Sequence, residues 1–260
     1  MSRTVVCVKW VADEGELRTD PVTLAVDAGH ARRKICDYDR NTVEAARVAA
    51  AEQGGELIGL TFGGPDSAGA LKDVLSRGAD RALHVLADGT ARADGHVTAH
   101  ALAAGIRRFD DVGLVLCTEG ASDTYAHETG PRIAELLGWP VVTNVGGLTV
   151  DGRRLRATRV LERETETVEC DLPAVVTVVP EIGPAPVPGL RSVIAAGRKP
   201  TEQLPLADLG LPPAATTART SVTSLLGRTD RRRHVLVADG DAHRKVAALL
   251  TALAEEGVLR

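Results

Sequence analysis

Between residues 4 and 137 the chain alternates short aliphatic runs with longer Ala-rich segments whose apolar residues recur at helical spacing. The aliphatic runs predict strands at 4–11, 57–62, 81–86 and 112–117, and the Ala-rich segments predict helices at 41–53, 67–77, 94–109 and 131–137. This alternation is typical of a doubly wound, mostly parallel sheet. Right-handed crossovers place the carboxyl ends of the strands along one edge, where such sheets bind ligands. We therefore predict an α/β fold with a site at that edge.

The composition agrees with a sheet that is covered on both faces. Aromatic residues make up only 2% of a chain that is 44% hydrophobic, so the core has to consist mainly of Ala, Val, Leu and Ile. A net charge of -4 provides no reason to expect binding to nucleic acid or to an anionic membrane. The four cysteines form no CxxC pair, which favours reduced thiols in a cytoplasmic protein. We predict neither a signal peptide nor membrane insertion.

The pattern changes after residue 140. Charged, partly alternating segments predict four strands joined by short turns, at 141–150, 155–161, 165–170 and 174–179. We interpret them as an antiparallel addition to the sheet. Residues 180–213 contain eight prolines and four glycines, which predicts an extended arm rather than core.

The end of the chain returns to regular structure, with an amphipathic helix predicted at 242–256. A helix that follows a long arm suggests packing on another chain. We therefore predict an α/β nucleotide-binding domain at residues 1–200, and at 201–260 a C-terminal arm with a helix that packs on a partner subunit. The basic run at 230–234 is interpreted as solvated or as an anchor for the arm, with a partner-binding patch as the alternative.

Two segments at the predicted edge have both a functional and a plain structural interpretation. Lys9, after the first strand, could present an ammonium to a nucleotide or could be an ordinary surface lysine. Residues 62–67, "FGGPDS", could let backbone amides approach an anion or could form a tight strand-to-helix turn. This run also partly resembles the SGGxDS loop of ATP pyrophosphatases, with Phe62 in place of the first serine.

The loop "TEGASDTYAHETG" at 118–130 follows a strand, precedes a helix and is long for its place. Its small side chains would let the backbone close around a phosphate or ribose, and its hydroxyls add donors. Asp123 could accept a hydrogen bond from a ribose hydroxyl, whereas His127 and Glu128 could be caps or solvent-facing residues. We favour nucleotide binding over a plain loop.

The sequence contains no GxSxG, no GxxxxGK[ST] and no HExxH motif. Nor does it contain a metal-ligand spacing of His and Cys. A nucleotide-type fold without such signatures predicts a carrier or binder rather than an enzyme.

The order of motifs resembles the beta subunit of electron-transfer flavoproteins over residues 4–200. The most specific pieces are "SRGADRA" at 76–82, "GPRIAELLGWP" at 130–140 and "LPAVVTV" at 172–178. The resemblance implies a sheet of the adenine-nucleotide-binding type and a heterodimer with an alpha subunit that holds most of the FAD. It also implies an AMP in this subunit, electrons accepted from flavin-containing dehydrogenases such as acyl-CoA dehydrogenases, and delivery toward a quinone reductase. Two alternatives remain: an electron-bifurcating variant with a second FAD here, and an ATP pyrophosphatase-type enzyme.

The resemblance also implies site residues. Leu190, with Arg191 beside it, matches the protruding leucine of a loop that docks on the dehydrogenase, and Tyr38 matches an aromatic residue near the flavin. The implied cofactor contacts lie at the ends of the strands, at the start of the first helix and in the long loop: Cys7, Val8, Lys9, Cys36, Asp37, Tyr38, Asp39, Phe62, Thr118, Gly120, Ala121, Ser122, Asp123, Thr124, Tyr125, Ala126, His127, Glu128 and Thr129.

The chain departs from the family pattern at several of these positions. In the family, Asn-Pro is usual at positions 36 and 37, where this chain has Cys36 and Asp37. The family has a basic residue at the position of Glu119. A carboxylate beside a phosphate is unfavourable unless it points outward. After Leu190 this chain has fewer basic residues than the family usually has, namely Arg191, Arg198 and Lys199. We therefore expect its dehydrogenase partner to differ from the common ones.

Overall fold

The computed structural model describes residues 2–87, 93–228 and 234–259. The strands of these segments are β1 (Arg3–Cys7), β2 (Trp10–Ala12), β3 (Arg18–Thr19), β4 (Val26–Asp27), β5 (Arg33–Ile35), β6 (Leu57–Gly63), β7 (Arg81–Leu86), β8 (Val112–Thr118), β9 (Val141–Asp151), β10 (Arg154–Val160), β11 (Thr165–Asp171), β12 (Ala174–Val178) and β13 (Thr201–Pro205). The helices are α1 (Asp37–Glu52), α2 (Ala68–Ser76), α3 (Gly95–Ile106), α4 (Thr129–Leu137), α5 (Leu190–Ala196), α6 (Pro213–Thr216) and α7 (Ala242–Glu255).

Nine strands form the main sheet, in the order β11-β10-β9-β12-β8-β1-β6-β7-β13. Every neighbouring pair from β9 to β13 in that order is parallel. Helices α1 and α2 cover one face of the sheet, and α3 and α4 cover the other. The predicted doubly wound α/β fold is confirmed.

The aliphatic runs become strands because both faces of the sheet are covered. Val5 packs into the cluster beneath α3 and α4, and Val6 packs into the cluster beneath α1 and α2, each with no exposed surface. Successive strand residues point to opposite faces, so two covered faces require an uninterrupted apolar run. Gly59 lets α2 approach β6 closely, since a Cβ there would lie 2.5 Å from Val74 Cγ1.

The first predicted strand, 4–11, is interrupted. β1 ends at Cys7, and Trp10–Ala12 pairs antiparallel with β5 instead. The reason is that the amide of Lys9 leaves the ladder and donates to the Asp39 carboxylate. The segment between β2 and α1 contains β5 and the short β3–β4 hairpin.

The first helix begins four residues before its predicted start at residue 41. Cys36 occupies the N-cap position, and α1 starts at Asp37. The Asn41 side chain instead donates to the carbonyl of Pro180 at 2.7 Å and accepts from the amide of Ala185 at 3.1 Å. Asn41 therefore fastens the Pro-rich segment to α1, a role that local sequence does not reveal.

The predicted antiparallel addition is only partly correct. β10 and β11 are antiparallel to their neighbours, but β12 returns between β8 and β9 and is parallel to both. All five residues of β12 are buried, as expected of a central parallel strand.

The Pro-rich segment is likewise not an extended arm throughout. β13 adds to the edge of the sheet beside β7, and both Leu206 and Ala215 are buried. Because β13 lies just beyond residue 200, the sheet extends past the expected end of the α/β domain; the division at that position stays a prediction. Of the basic run at 230–234, residues 230–233 lie outside the described residues.

Candidate functional site

The candidate site lies at the carboxyl ends of β1, β6 and β8, which are neighbours in the sheet. Beyond β1, the amide of Val8 donates to the Leu60 carbonyl at 2.9 Å, and the Thr61 hydroxyl donates to the Val8 carbonyl at 2.8 Å. The amide of Lys9 turns away and donates to Asp39 Oδ2 at 2.6 Å. The end of β1 is therefore tied to the first turn of α1.

Asp39 is a buried carboxyl group, with only 1% of its surface exposed. Burial raises its pKa to about 7, because the hydrogen bond from the Lys9 amide and the nearby Lys9 charge only partly offset the loss of hydration, and Asp123 adds repulsion. Asp39 therefore changes its charge near neutral pH, at the point where β1 meets α1. Shifted groups of this kind are concentrated at functional sites.

An ion pair brings the loop at 118–129 across to the end of β1. Lys9 Nζ lies 2.7 Å from Asp123 Oδ1, and the two side chains are 44% and 39% exposed. Because both groups are partly hydrated, their attraction contributes less than about 1 kcal/mol to stability. They remain accessible to the hydroxyl or phosphate oxygens of a ligand.

Cysteines form much of the floor of the site. The Ser122 amide donates to Cys36 Sγ at 3.5 Å, and the Cys36 amide donates to the Lys9 carbonyl at 3.0 Å. Burial and then the charge of Asp39 raise the pKa of Cys36. A hydrogen bond with Cys117, followed by burial, raises the pKa of Cys7 well above its usual range. These thiols therefore stay protonated, and all four cysteines of the chain are free.

The only two tyrosines of the chain meet at the mouth of the site. The ring of Tyr125 lies edge-on to Tyr38, with centroids 6.2 Å apart, and to His127, with centroids 4.2 Å apart. Tyr125 and His127 have φ angles of 46° and 55°, a region that costs energy for residues with a side chain. Gly120 makes room for the ring, since a Cβ there would lie 2.7 Å from it.

The carboxylate of Glu119 is engaged by its neighbours. Its two oxygens accept from the Tyr125 hydroxyl at 3.1 Å and from Asn144 Nδ2 at 3.2 Å. Asn144 lies in β9 with a φ of 59°, and sequence reasoning did not select it. The available signal was an asparagine within an aliphatic run, since asparagine tolerates positive φ better than most residues.

The hydroxyl of Thr118 is buried and has no hydrogen-bond partner among the described residues. A buried polar group without a partner costs free energy, so a ligand oxygen or amide that reached Thr118 would be stabilised. At the other end of the loop, Glu128 pairs with Arg132 at 2.7 Å, and Thr129 begins α4.

Some predicted positions lie apart from this network. Asp37 pairs with Lys34 at 2.8 Å and with Arg40 at 2.7 Å. Phe62 packs against the core cluster beneath α3 and α4. Of the remaining loop positions that the sequence selected, Ala121 is partly buried, and Thr124 and Ala126 are exposed.

The turn at 63–67 is tight. A Cβ on Gly63 would lie 2.3 Å from Ser67 Oγ, and the Ser67 amide donates to the Gly64 carbonyl at 3.0 Å. This geometry accounts for Gly63 without a ligand, whereas a Cβ at Gly64 would meet no atom within 4 Å.

Leu190 and Arg191 belong to a different surface. They begin α5, which packs on α2, and Leu190 is 75% exposed. Val187, Val193 and Ile194 are also more than half exposed, so they form an apolar patch with Leu190. No helix in the described segments is both long and apolar enough to cross a bilayer.

The sheet and its edge define a doubly wound α/β protein whose candidate ligand site lies at the carboxyl ends of the central strands. A sequence profile of the electron transfer flavoprotein domain matches residues 23–209, well over half of the chain. The chain therefore belongs to the electron transfer flavoprotein family, whose members carry electrons on a bound flavin.

Proposed function

We propose that this chain is the beta subunit of a heterodimeric electron-transfer flavoprotein. It accepts electrons from a flavin-containing dehydrogenase, such as an acyl-CoA dehydrogenase, and passes them toward a quinone reductase. The observation that carries this proposal is helix α7, which buries none of its residues among the described residues and follows a domain of the electron transfer flavoprotein family.

Helix α7 is well formed but buries none of its residues within the described chain. Asp241 caps it by accepting from the Arg244 amide at 2.9 Å. Val246, Leu249 and Leu250 lie along one face and are each about half exposed, at 53%, 48% and 49%. An amphipathic helix is stabilised by covering such a face, and the alpha subunit is the proposed partner.

We propose that the edge of the sheet binds an adenine nucleotide, AMP. Asp123 would accept from ribose hydroxyls, and Lys9 would pair with the phosphate. Thr118 offers the unpaired buried hydroxyl, and the ring of Tyr125, which is 52% exposed, offers a face to a purine. Both oxygens of Glu119 are engaged by Tyr125 and Asn144, which hold this carboxylate in one position.

The FAD is proposed to lie mainly on the alpha subunit, with this chain covering one side of it. The flavin, when bound, supplies the redox chemistry. The residues of this chain position it and limit its contact with water, and Tyr38 at the mouth of the site is the aromatic side chain proposed to face its ring.

The apolar patch on α5 is the proposed docking surface for the dehydrogenase. Leu190 is exposed and is flanked by Arg191, so it combines an apolar anchor with a charge. A few such anchors usually dominate the affinity of a protein–protein interface.

Co-expression with a candidate alpha subunit tests the proposal, with each subunit expressed alone as the control. We expect a yellow heterodimer that releases one FAD and one AMP when it is denatured. Release of two FAD and no AMP would instead identify the bifurcating variant. Two colourless chains that do not associate would contradict the assignment as a beta subunit.

A further inference from the structure

The segment after α6 is first attached to the protein through Asp94, the N-cap of α3. Asp94 Oδ1 accepts from the Val97 amide at 3.0 Å and caps the helix. Asp94 Oδ2 accepts from the amides of Arg219 and Thr220 at 2.7 and 3.0 Å, and from the Thr220 hydroxyl at 3.2 Å. One carboxylate oxygen therefore caps the helix, and the other holds the C-terminal segment.

A second attachment follows six residues later, at the β3–β4 hairpin. The amide of Val26 donates to the Leu225 carbonyl at 3.2 Å, and the amide of Gly227 donates to the Leu24 carbonyl at 2.7 Å. Gly227 is required there, because a Cβ would lie 2.6 Å from Thr19 Cγ2. Residues 219–226, between and including these attachments, are exposed.

Both attachments lie on segments of the chain that contact the loop at 118–129. The start of α3 abuts the end of the loop, since a Cβ on Gly95 would lie 1.8 Å from Glu128 Oε1. The segment at 12–34 that carries the hairpin also contacts the loop, because Glu14 hydrogen-bonds Ser122. From Thr220 to Leu225 the chain spans at most about 18 Å, so the two attachments lie within that distance of each other.

We propose that residues 219–227 form a strap across the candidate nucleotide site, that Asp94 holds the strap in place, and that the strap limits exchange of the nucleotide. This inference rests on the proposed AMP site. The strap continues in sequence into α7, so a partner that binds α7 restrains its far end. Asp94 is a positioning residue in this scheme: it acts on the ligand only through the strap.

The substitution Asp94→Asn separates the two roles of the carboxylate. Asparagine caps helices as well as aspartate does, but its amide nitrogen cannot accept the bonds from Arg219 and Thr220. Exposed Asp208 provides a matched control, Asp208→Asn. In the purified heterodimer, the rate at which labelled AMP replaces bound AMP measures how strongly the strap limits exchange. The rate of tryptic cleavage after Arg219 measures release of the strap.

We expect Asp94→Asn to accelerate both AMP exchange and cleavage after Arg219 by about tenfold, with an unchanged far-UV spectrum, because bonds to a charged acceptor are lost. Thr220→Val, which removes only the hydroxyl donor, should give a smaller increase in both rates, and Asp208→Asn should match the wild type.

Faster cleavage with wild-type AMP exchange would show that the strap does not gate the site. Unchanged cleavage in Asp94→Asn would show that Asp94 does not hold the strap. Either result overturns this inference and leaves the proposed AMP site intact. A wild-type heterodimer that contains no AMP would overturn the proposed site itself, and the gate with it.

Discussion

Helices α1 and α7 have 16 and 14 residues, and both are Ala-rich and amphipathic. Six residues of α1 are buried against the sheet and its neighbours, whereas α7 buries none within the described chain. The same kind of sequence pattern therefore produces a core helix in one place and an uncovered helix in the other. The pattern specifies that a face has to be covered, but it does not specify which surface covers it.

The largest effect should come from placing a charge on each of the two apolar faces. Val43 on α1 has no exposed surface, and Val246 on α7 is 53% exposed. Val43→Asp should destabilise the isolated chain by more than about 4 kcal/mol, because it buries an unpaired charge. Val246→Asp should change stability by less than about 0.5 kcal/mol but abolish binding to the proposed alpha subunit. Urea denaturation and co-purification measure the two effects.

Val43→Ala and Val246→Ala are the uncharged controls. If Val246→Asp unfolded the isolated chain as readily as Val43→Asp does, α7 would have to be packed within its own subunit, and the contrast between the helices would disappear.

A second prediction concerns the free energy that it costs to bury the carboxylate of Asp39 at the start of α1. The pKa of Asp39 is raised from 3.8 to about 7, so the folded state binds its proton more tightly than the unfolded state does. The resulting stabilisation is complete below about pH 4 and is lost as the pH rises through about 7. Asp39→Asn cannot ionise, so at about pH 8 it should be more stable than the wild type by about 1–4 kcal/mol.

Urea denaturation at about pH 4, 6 and 8 checks this expectation, because the advantage of Asp39→Asn should shrink toward low pH. Asp66→Asn, at an exposed position, is the control. A stability difference that stayed constant with pH would show that Asp39 does not titrate in this range.

The smallest effect should come from the exposed patch on α5. Leu190→Ala should weaken binding to the dehydrogenase about tenfold, or about 1.4 kcal/mol, while FAD content and chain stability stay unchanged. Val22→Ala is a suitable control, since Val22 is 88% exposed and lies elsewhere. Surface plasmon resonance with the partner dehydrogenase measures the difference. Equal affinities for Leu190→Ala and Val22→Ala would place the docking surface outside α5.

Much of the fold could be predicted because helix and strand periodicities are local properties of the chain. The errors occurred where a distant group changes the outcome. The first strand ends early because the Lys9 amide donates to Asp39, and Asn41 lies inside α1, where its side chain bonds the segment at 180–185.

The candidate site shows the same difference between features that local sequence predicts and features that depend on distant groups. Lys9 and Asp123 were selected because they follow strands, Asp39 was implied by the family resemblance, and the structure brings the three together. Asn144 was missed, because its contact with Glu119 spans 25 positions and depends on the path of β9. The strap was missed for the same reason: nothing near Arg219 in the sequence indicates that Asp94 accepts from its amide.

The sequence alone determined the alternation of strands and helices, the edge of the sheet where a ligand site had to lie, and the amphipathic helix near the end of the chain. These features follow from hydrophobic periodicity and from the handedness of crossovers, both of which act over short stretches of chain. Only the tertiary structure decided the parallel return of β12, the buried partners of Asp39 and the attachment of residues 219–227. Each depends on groups that are remote in sequence and meet only when the chain folds, because hydrogen bonds and burial act over a few ångströms of space.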